Sequence, residues 1–219
     1  MRILLLILSF SSVVFLFSQE SMLQVIPFIQ NEKVVMNQTI PITENYSIEI
    51  ETLKMYLSAI QINQDPIIDS VYLLDFEEYH PILLPNTKEI KEFSFSIGLD
   101  SIKNVSENYD GALDPIHGMY WAWHTGYTNF KLKGKIHFST NETKDIELHL
   151  GGYLAPFQTV QNKTVKGNLS STITIRLQLE DLIEYAVKNS YYSILSPGKS
   201  AHELSSLLPS LFQLQTNEK

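Results

Sequence analysis

The chain contains no cysteine in its 219 residues. That absence removes disulfides, thiolate zinc sites, iron–sulfur clusters, type 1 copper and any cysteine nucleophile. Positive charge is also scarce: 16 Lys and Arg stand against 24 Asp and Glu, for a net charge of -8. Nucleic-acid binding relies on a basic patch that displaces counterions from phosphates, so this balance argues against it. No HExxH, GxSxG, P-loop or dinucleotide fingerprint occurs, and the chain reads as a binding protein rather than an enzyme. Glu77 and Glu78 are adjacent, so on a strand they point to opposite faces and cannot flank one bond as paired acids.

What remains is a chain built to fold. Hydrophobic residues make up 44% and charged residues 18%, the balance of a globular domain. Residues 1–18, MRILLLILSFSSVVFLFS, place one arginine before an almost unbroken apolar stretch and end at the polar pair Gln19-Glu20. This is the layout of a secretory signal peptide, and the apolar stretch is shorter than the roughly 20 residues a membrane-spanning helix needs. With no cysteine at the junction for a lipid anchor, the expectation is a soluble periplasmic or secreted protein. Residues 19–219 then form a single domain with no integral membrane segment.

Period-2 alternation dominates that domain. Phe93, Phe95, Ile97 and Leu99 alternate with polar or small residues, as do Phe130, Leu132, Gly134, Ile136 and Phe138. The same holds for Ile146, Leu148 and Leu150, and for Ile173, Ile175, Leu177 and Leu179. Each such segment buries one face and wets the other, as antiparallel sheets do. From Ser47 the apolar parity shifts between Ile50 and Leu53, which predicts a bulge or a turn near Thr52. Residues 71–76, VYLLDF, are apolar on both parities and suggest a central strand. Helices are expected only at 181–188 and 197–212, the second interrupted at Pro209. The expected fold is all-β: an antiparallel β-sandwich or partly open barrel with one or two short helices near the C-terminus.

Residues 114–127, DPIHGMYWAWHTGY, are chemically unusual. They hold both tryptophans of the chain, with His117, Met119 and His124 among them. One reading is metal-free: a buried aromatic cluster stacking on the neighbouring sheet, or a β-sandwich whose Tyr120, Trp121, Trp123 and Tyr127 form an exposed platform for glycan or protein contact. The other is a soft-metal site, because imidazole and thioether suit Cu(I). An intact indole cannot join such a site, since its nitrogen is a donor only. Oxidative opening to kynurenine would give it an aryl amine and ketones as donor atoms. His137 lies among Lys131, Lys133 and Lys135 and reads as solvated, as does His202 in a surface helix; His80 precedes a proline in a turn. Asp100, Asp110 and Asp114 flank the segment and read as loop caps.

The string GALDPIHGMYWAWHTGYTNFKLKG at 111–134 resembles the MbnP-like copper-binding protein family. VYLLDF at 71–76 and IGLDS at 97–101 precede it, and HLGGY at 149–153 follows it, in the order and approximate spacing of that family. The resemblance extends from about residue 22 to about 212. It implies an exported protein that holds Cu(I) through histidine and a tryptophan-derived kynurenine, in copper uptake or homeostasis. Carried onto this sequence, it implies Trp121 or Trp123 as the modified residue and His149 as a ligand. His124 is the next candidate ligand and His117 the third. A di-haem peroxidase-like enzyme is the implied tryptophan-oxidising partner.

Overall fold

Alternating segments become strands, and the one parity shift becomes a bulge. The computed structural model describes residues 21–68, 70–85, 87, 89–106, 109–121, 126–169 and 172–215. The chain begins with β1 (Ser21–Ile29), β2 (Glu32–Lys33), β3 (Thr39–Thr43) and β4 (Tyr46–Ile62). Next come β5 (Asp65–Pro66), β6 (Val71–Asp75), β7 (Ile82–Leu84) and β8 (Ile90–Ile97). Helix α1 (Ser101–Asn104) and two 3-10 turns (Gly111–Leu113 and Pro115–His117) lead into β9 (Tyr120–Trp121). The long strands β10 (Gly126–Phe138), β11 (Thr143–Gly151), β12 (Gln161–Leu169) and β13 (Thr172–Gln178) follow. The C-terminal part holds α2 (Glu180–Lys188), β14 (Ser193–Ile194), α3 (Lys199–Ser205), α4 (Leu208–Leu211) and β15 (Phe212–Leu214). Pro209 sits in the first turn of α4, where its missing N–H costs no hydrogen bond. The expected signal peptide at 1–18 lies outside the described residues. No described helix is long and apolar enough to cross a membrane.

Two sheets face each other. One runs β15-β13-β1-β2 with β7 also on β1; the other runs β12-β8-β4-β10-β11-β14, with β3, β5 and β6 along β4 and β9 on β10. They do not close into a barrel, so the architecture is the sandwich that the alternation predicts. Pairing is mostly antiparallel, but β1 with β13 and β11 with β14 are parallel. Inner-face residues interlock in one core: Leu23 and Val25 of β1, Ile173 and Ile175 of β13, Ile48, Leu53 and Met55 of β4, and Leu132 and Leu148 of the neighbouring strands.

The bulge falls where the parity shifts. Opposite β10, Lys133 pairs with Thr52 and Gly134 with Ile50, leaving Glu51 as the extra residue of β4. Ile48 and Ile50 before it, and Leu53 and Met55 after it, all reach the core. Gly134 is required there, because a Cβ would stand only 2.1 Å from the Glu49 carbonyl oxygen. The expectation of a central strand for 71–76 is corrected: β6 pairs with β4 alone. Its two-sided apolar character has another cause. Leu74 enters the main core, whereas Val71 and Leu73 pack on a second cluster of Tyr56, Leu99, Leu113, Met119 and Tyr127. That cluster lies on the opposite face of β4 from Met55 and Leu57, beneath the segment that precedes β9.

Candidate functional site

Buried polar side chains seat this covering segment. Gly98 ends β8 at φ +102, and an added Cβ would stand 2.4 Å from the side chain of Asn129. In that space Asn129 accepts from Leu99 N–H (2.9 Å) and donates to Thr159 Oγ1 (2.9 Å). Asp100 caps α1 by accepting from Lys103 N–H at 2.8 Å. Buried Asn104 accepts from Tyr127 N–H (2.9 Å) and donates to the Leu99 carbonyl (2.9 Å). Asp114 accepts from Ile116 N–H at 2.8 Å, so it too is a loop cap; the Asp110 side chain makes no cap bond. Gly118 then turns the chain through the left-handed region at φ +68. This breaks the strand parity of His117 with Met119 and Trp121 and sets Tyr120 and Trp121 beside Tyr127 and Gly126. Met119 is fully buried among apolar side chains, its thioether inside the second cluster.

Trp121 is 3% exposed and Tyr127 2% exposed, as in a buried aromatic cluster, and for these two residues the alternative of an open platform is corrected. The indole lies against Gly151 of the HLGGY segment. A Cβ at Gly151 would stand 2.6 Å from Cζ3 and 2.7 Å from Cη2 of Trp121. The absence of a side chain therefore lets the ring settle on the sheet. Trp121 and Tyr127 also wall a cavity of about 410 Å³ with Tyr153, Leu154, Phe157 and Pro197, and no charged side chain lines it among the described residues. Thr159 holds the loop that supplies the outer wall, its N–H and Oγ1 both donating to the Gly152 carbonyl (3.0 and 3.2 Å).

His149 stands two residues before Gly151 on the same outer face of β11, about 7 Å away along the strand. Its side chain is 13% exposed, and Nε2 lies 3.0 Å from a Glu147 carboxylate oxygen, close but not aligned for a hydrogen bond. Across the sheet it is paired with Lys131. Its pKa is lowered to about 4, by burial first and by the charges of Lys131 and Lys133, against the pull of Glu147. The ring is therefore neutral at pH 7, and a neutral imidazole carries one nitrogen lone pair that a metal can use without displacing a proton. The lysine charges that repel the proton also oppose a cation, and Glu147 is the nearby carboxylate that offsets them.

The structure thus brings Trp121 and the HLGGY segment together. Trp123 and His124 lie outside the described residues. His117 is turned elsewhere, its Nε2 hydrogen-bonded to the Gly111 carbonyl at 3.0 Å, and it lines a separate groove with Asp75, Glu78 and His80. His137 is half-buried, with Nδ1 3.1 Å from Thr143 Oγ1 and Nε2 3.6 Å from Glu49. His202 is also not simply solvated: Nδ1 bonds the Gln158 carbonyl at 2.5 Å, pinning α3 to the loop beside the cavity. Among the described residues no three His, Asp or Glu side chains converge as a metal cage. The described histidines and carboxylates alone therefore do not form a complete donor set. Sequence reasoning missed Asn104, Asn129 and the cavity wall of Tyr153, Leu154, Phe157 and Pro197. Only the paired glycines of HLGGY hinted at a close approach there.

The MbnP family model matches residues 18–196, and the chain belongs to the MbnP family. Among solved structures it is similar to MbnP from Methylosinus trichosporium, with a TM-score of 0.53 and 14% identity over 76% of this chain and 78% of that one. At that identity the likeness shows the shared fold. No curated protein matches the chain.

Proposed function

We propose, taking membership of the MbnP family as the premise, that this is an exported, copper-associated binding protein of the periplasm or extracellular space. Cu(I) is its cargo, held by His149 and by a kynurenine formed from Trp121 or Trp123, in copper uptake or homeostasis. A separate di-haem peroxidase-like enzyme carries out the indole oxidation. The observation that carries the reading is one of placement: the Trp121 ring rests on Gly151, two residues from a neutral, mostly buried imidazole on the same strand face. Kynurenine would supply an aryl amine and carbonyl oxygens where the described histidines and carboxylates lack a full donor set. The chain's own part is to desolvate the imidazole, fix the indole on the glycine surface and exclude charged solutes through the apolar cavity wall.

A Cu(I) competition titration of protein purified from its native host tests this. Tight one-to-one binding is expected, and His149→Ala should weaken it on the order of 10- to 100-fold or more, as loss of a ligand or its support does. Equal affinity in the two proteins would remove His149 from the site.

A further inference from the structure

Four tyrosines, Tyr56, Tyr127, Tyr120 and Tyr109, lie in a line beside the Trp121 cavity. Ring centroids are 5.8 Å apart from Tyr56 to Tyr127, 5.0 Å from Tyr127 to Tyr120 and 5.4 Å from Tyr120 to Tyr109, each pair edge to face. Tyr56 and Tyr127 are buried, Tyr120 is half-buried and Tyr109 is 42% exposed. At the inner end Tyr127 lines the same cavity as Trp121, while Tyr120 is next to Trp121 in β9. At the outer end the phenol oxygens of Tyr120 and Tyr109 are 3.3 Å apart. Packing alone asks for apolar rings here. It does not ask for four phenols in sequence, the two buried ones each spending a hydroxyl on a backbone carbonyl.

We propose that Tyr127, Tyr120 and Tyr109 form a relay that carries a one-electron oxidation of Trp121 to the protein surface. The direction follows from where a proton can go. Phenol and indole are the most easily oxidised side chains of this cysteine-free protein, and a phenol keeps a hole only if its O–H proton departs. Tyr56 donates to the Ala112 carbonyl (3.0 Å) and Tyr127 to the Leu113 carbonyl (2.8 Å), and a peptide carbonyl does not take the proton. A hole halted there would be an uncompensated charge in an apolar cluster. Tyr109 faces water. An external one-electron acceptor removes an electron from the indole of Trp121. An electron from Tyr109, passed through Tyr120 and Tyr127, refills it. The O–H bond of Tyr109 breaks, its proton goes to water, and the phenoxyl oxygen keeps the unpaired electron. Burial holds the Tyr127 phenol pKa up at about 12, and Tyr56 is raised further, so neither competes as the resting place of the hole.

The relay is tested without copper or kynurenine, so its failure and that of the copper reading are separable. Trp123→Phe leaves Trp121 as the sole indole. Light at the long-wavelength edge of indole absorption ionises it, and a cobalt(III) ammine takes the ejected electron. A nitroso spin trap and peptide mass spectrometry then locate the radical. The expected result is decay of the indole radical with matched growth of a tyrosyl radical, trapped on Tyr109. Adding Tyr120→Phe, which keeps the ring, should prolong the indole radical and remove most of the Tyr109 adduct. Adding Tyr109→Phe at its exposed position should instead move the adduct to Tyr120. Absence of a tyrosyl radical, or equal Tyr109 labelling with and without Tyr120→Phe, overturns the proposal.

Discussion

At the scale of single residues, the proposed site turns on one imidazole and one missing side chain. Burial and two lysines hold His149 down at about 4, whereas an unfolded histidine titrates near 6.5. Between these values the unfolded chain binds the proton and the folded chain refuses it. The contribution of His149 is therefore intact above about pH 6.5 and is lost as pH falls towards 4, a loss on the order of 2 kcal/mol. Urea unfolding at neutral pH and near pH 5 measures it, and His149→Gln should show a smaller difference between the two conditions. An unchanged difference in the variant would mean that other groups carry the pH dependence. Gly151→Ala makes the complementary test. Its methyl would meet both the Trp121 indole and the Tyr127 carbonyl oxygen, so tryptophan emission should shift to the red and copper binding should weaken, with some loss of stability from the backbone contact. Unaltered emission would show that the ring does not depend on that surface.

At the scale of elements, β4 and its neighbour β10 show why some features could be read from sequence and others not. Parity records which face a residue takes, so the slip between Ile50 and Leu53 announced an irregularity, a bulge or a turn, and β4 resolves it as a bulge. It does not record what lies above the outer face. The two-sided apolar strand β6 therefore looked central, when its second face is covered by the Met119 and Leu113 segment. Gly134 was likewise legible only as a member of an alternating row. Its necessity comes from the Glu49 carbonyl across the strand. Gly134→Ala should cost about 2–4 kcal/mol, since neither backbone can yield without disturbing the ladder, and a denaturant midpoint measures this. A loss below about 1 kcal/mol would show that the bulge relaxes easily.

At the scale of the molecule, the sandwich displays two distant blocks of sequence at one place. The aromatic run arrives over the outer face through buried Asn104 and Asn129, and the HLGGY segment arrives as the end of β11. The residues of both blocks stood out in sequence, by composition for one and by resemblance for the other. Their meeting did not, because it depends on a glycine contact and on side-chain bonds between segments tens of residues apart. The lack of cysteine gains a physical meaning in this setting. Among the described residues the site offers one desolvated imidazole and one indole beside a glycine face, and under the proposed function a change in an indole supplies the further donor atoms. Peptide mass spectrometry of protein from its native host, with copper stoichiometry on the same sample, tests this most directly. The account predicts a gain of about 4 Da on Trp121 or Trp123, one oxygen replacing one carbon, together with bound copper. Two unmodified tryptophans in a protein that takes up no copper would contradict it.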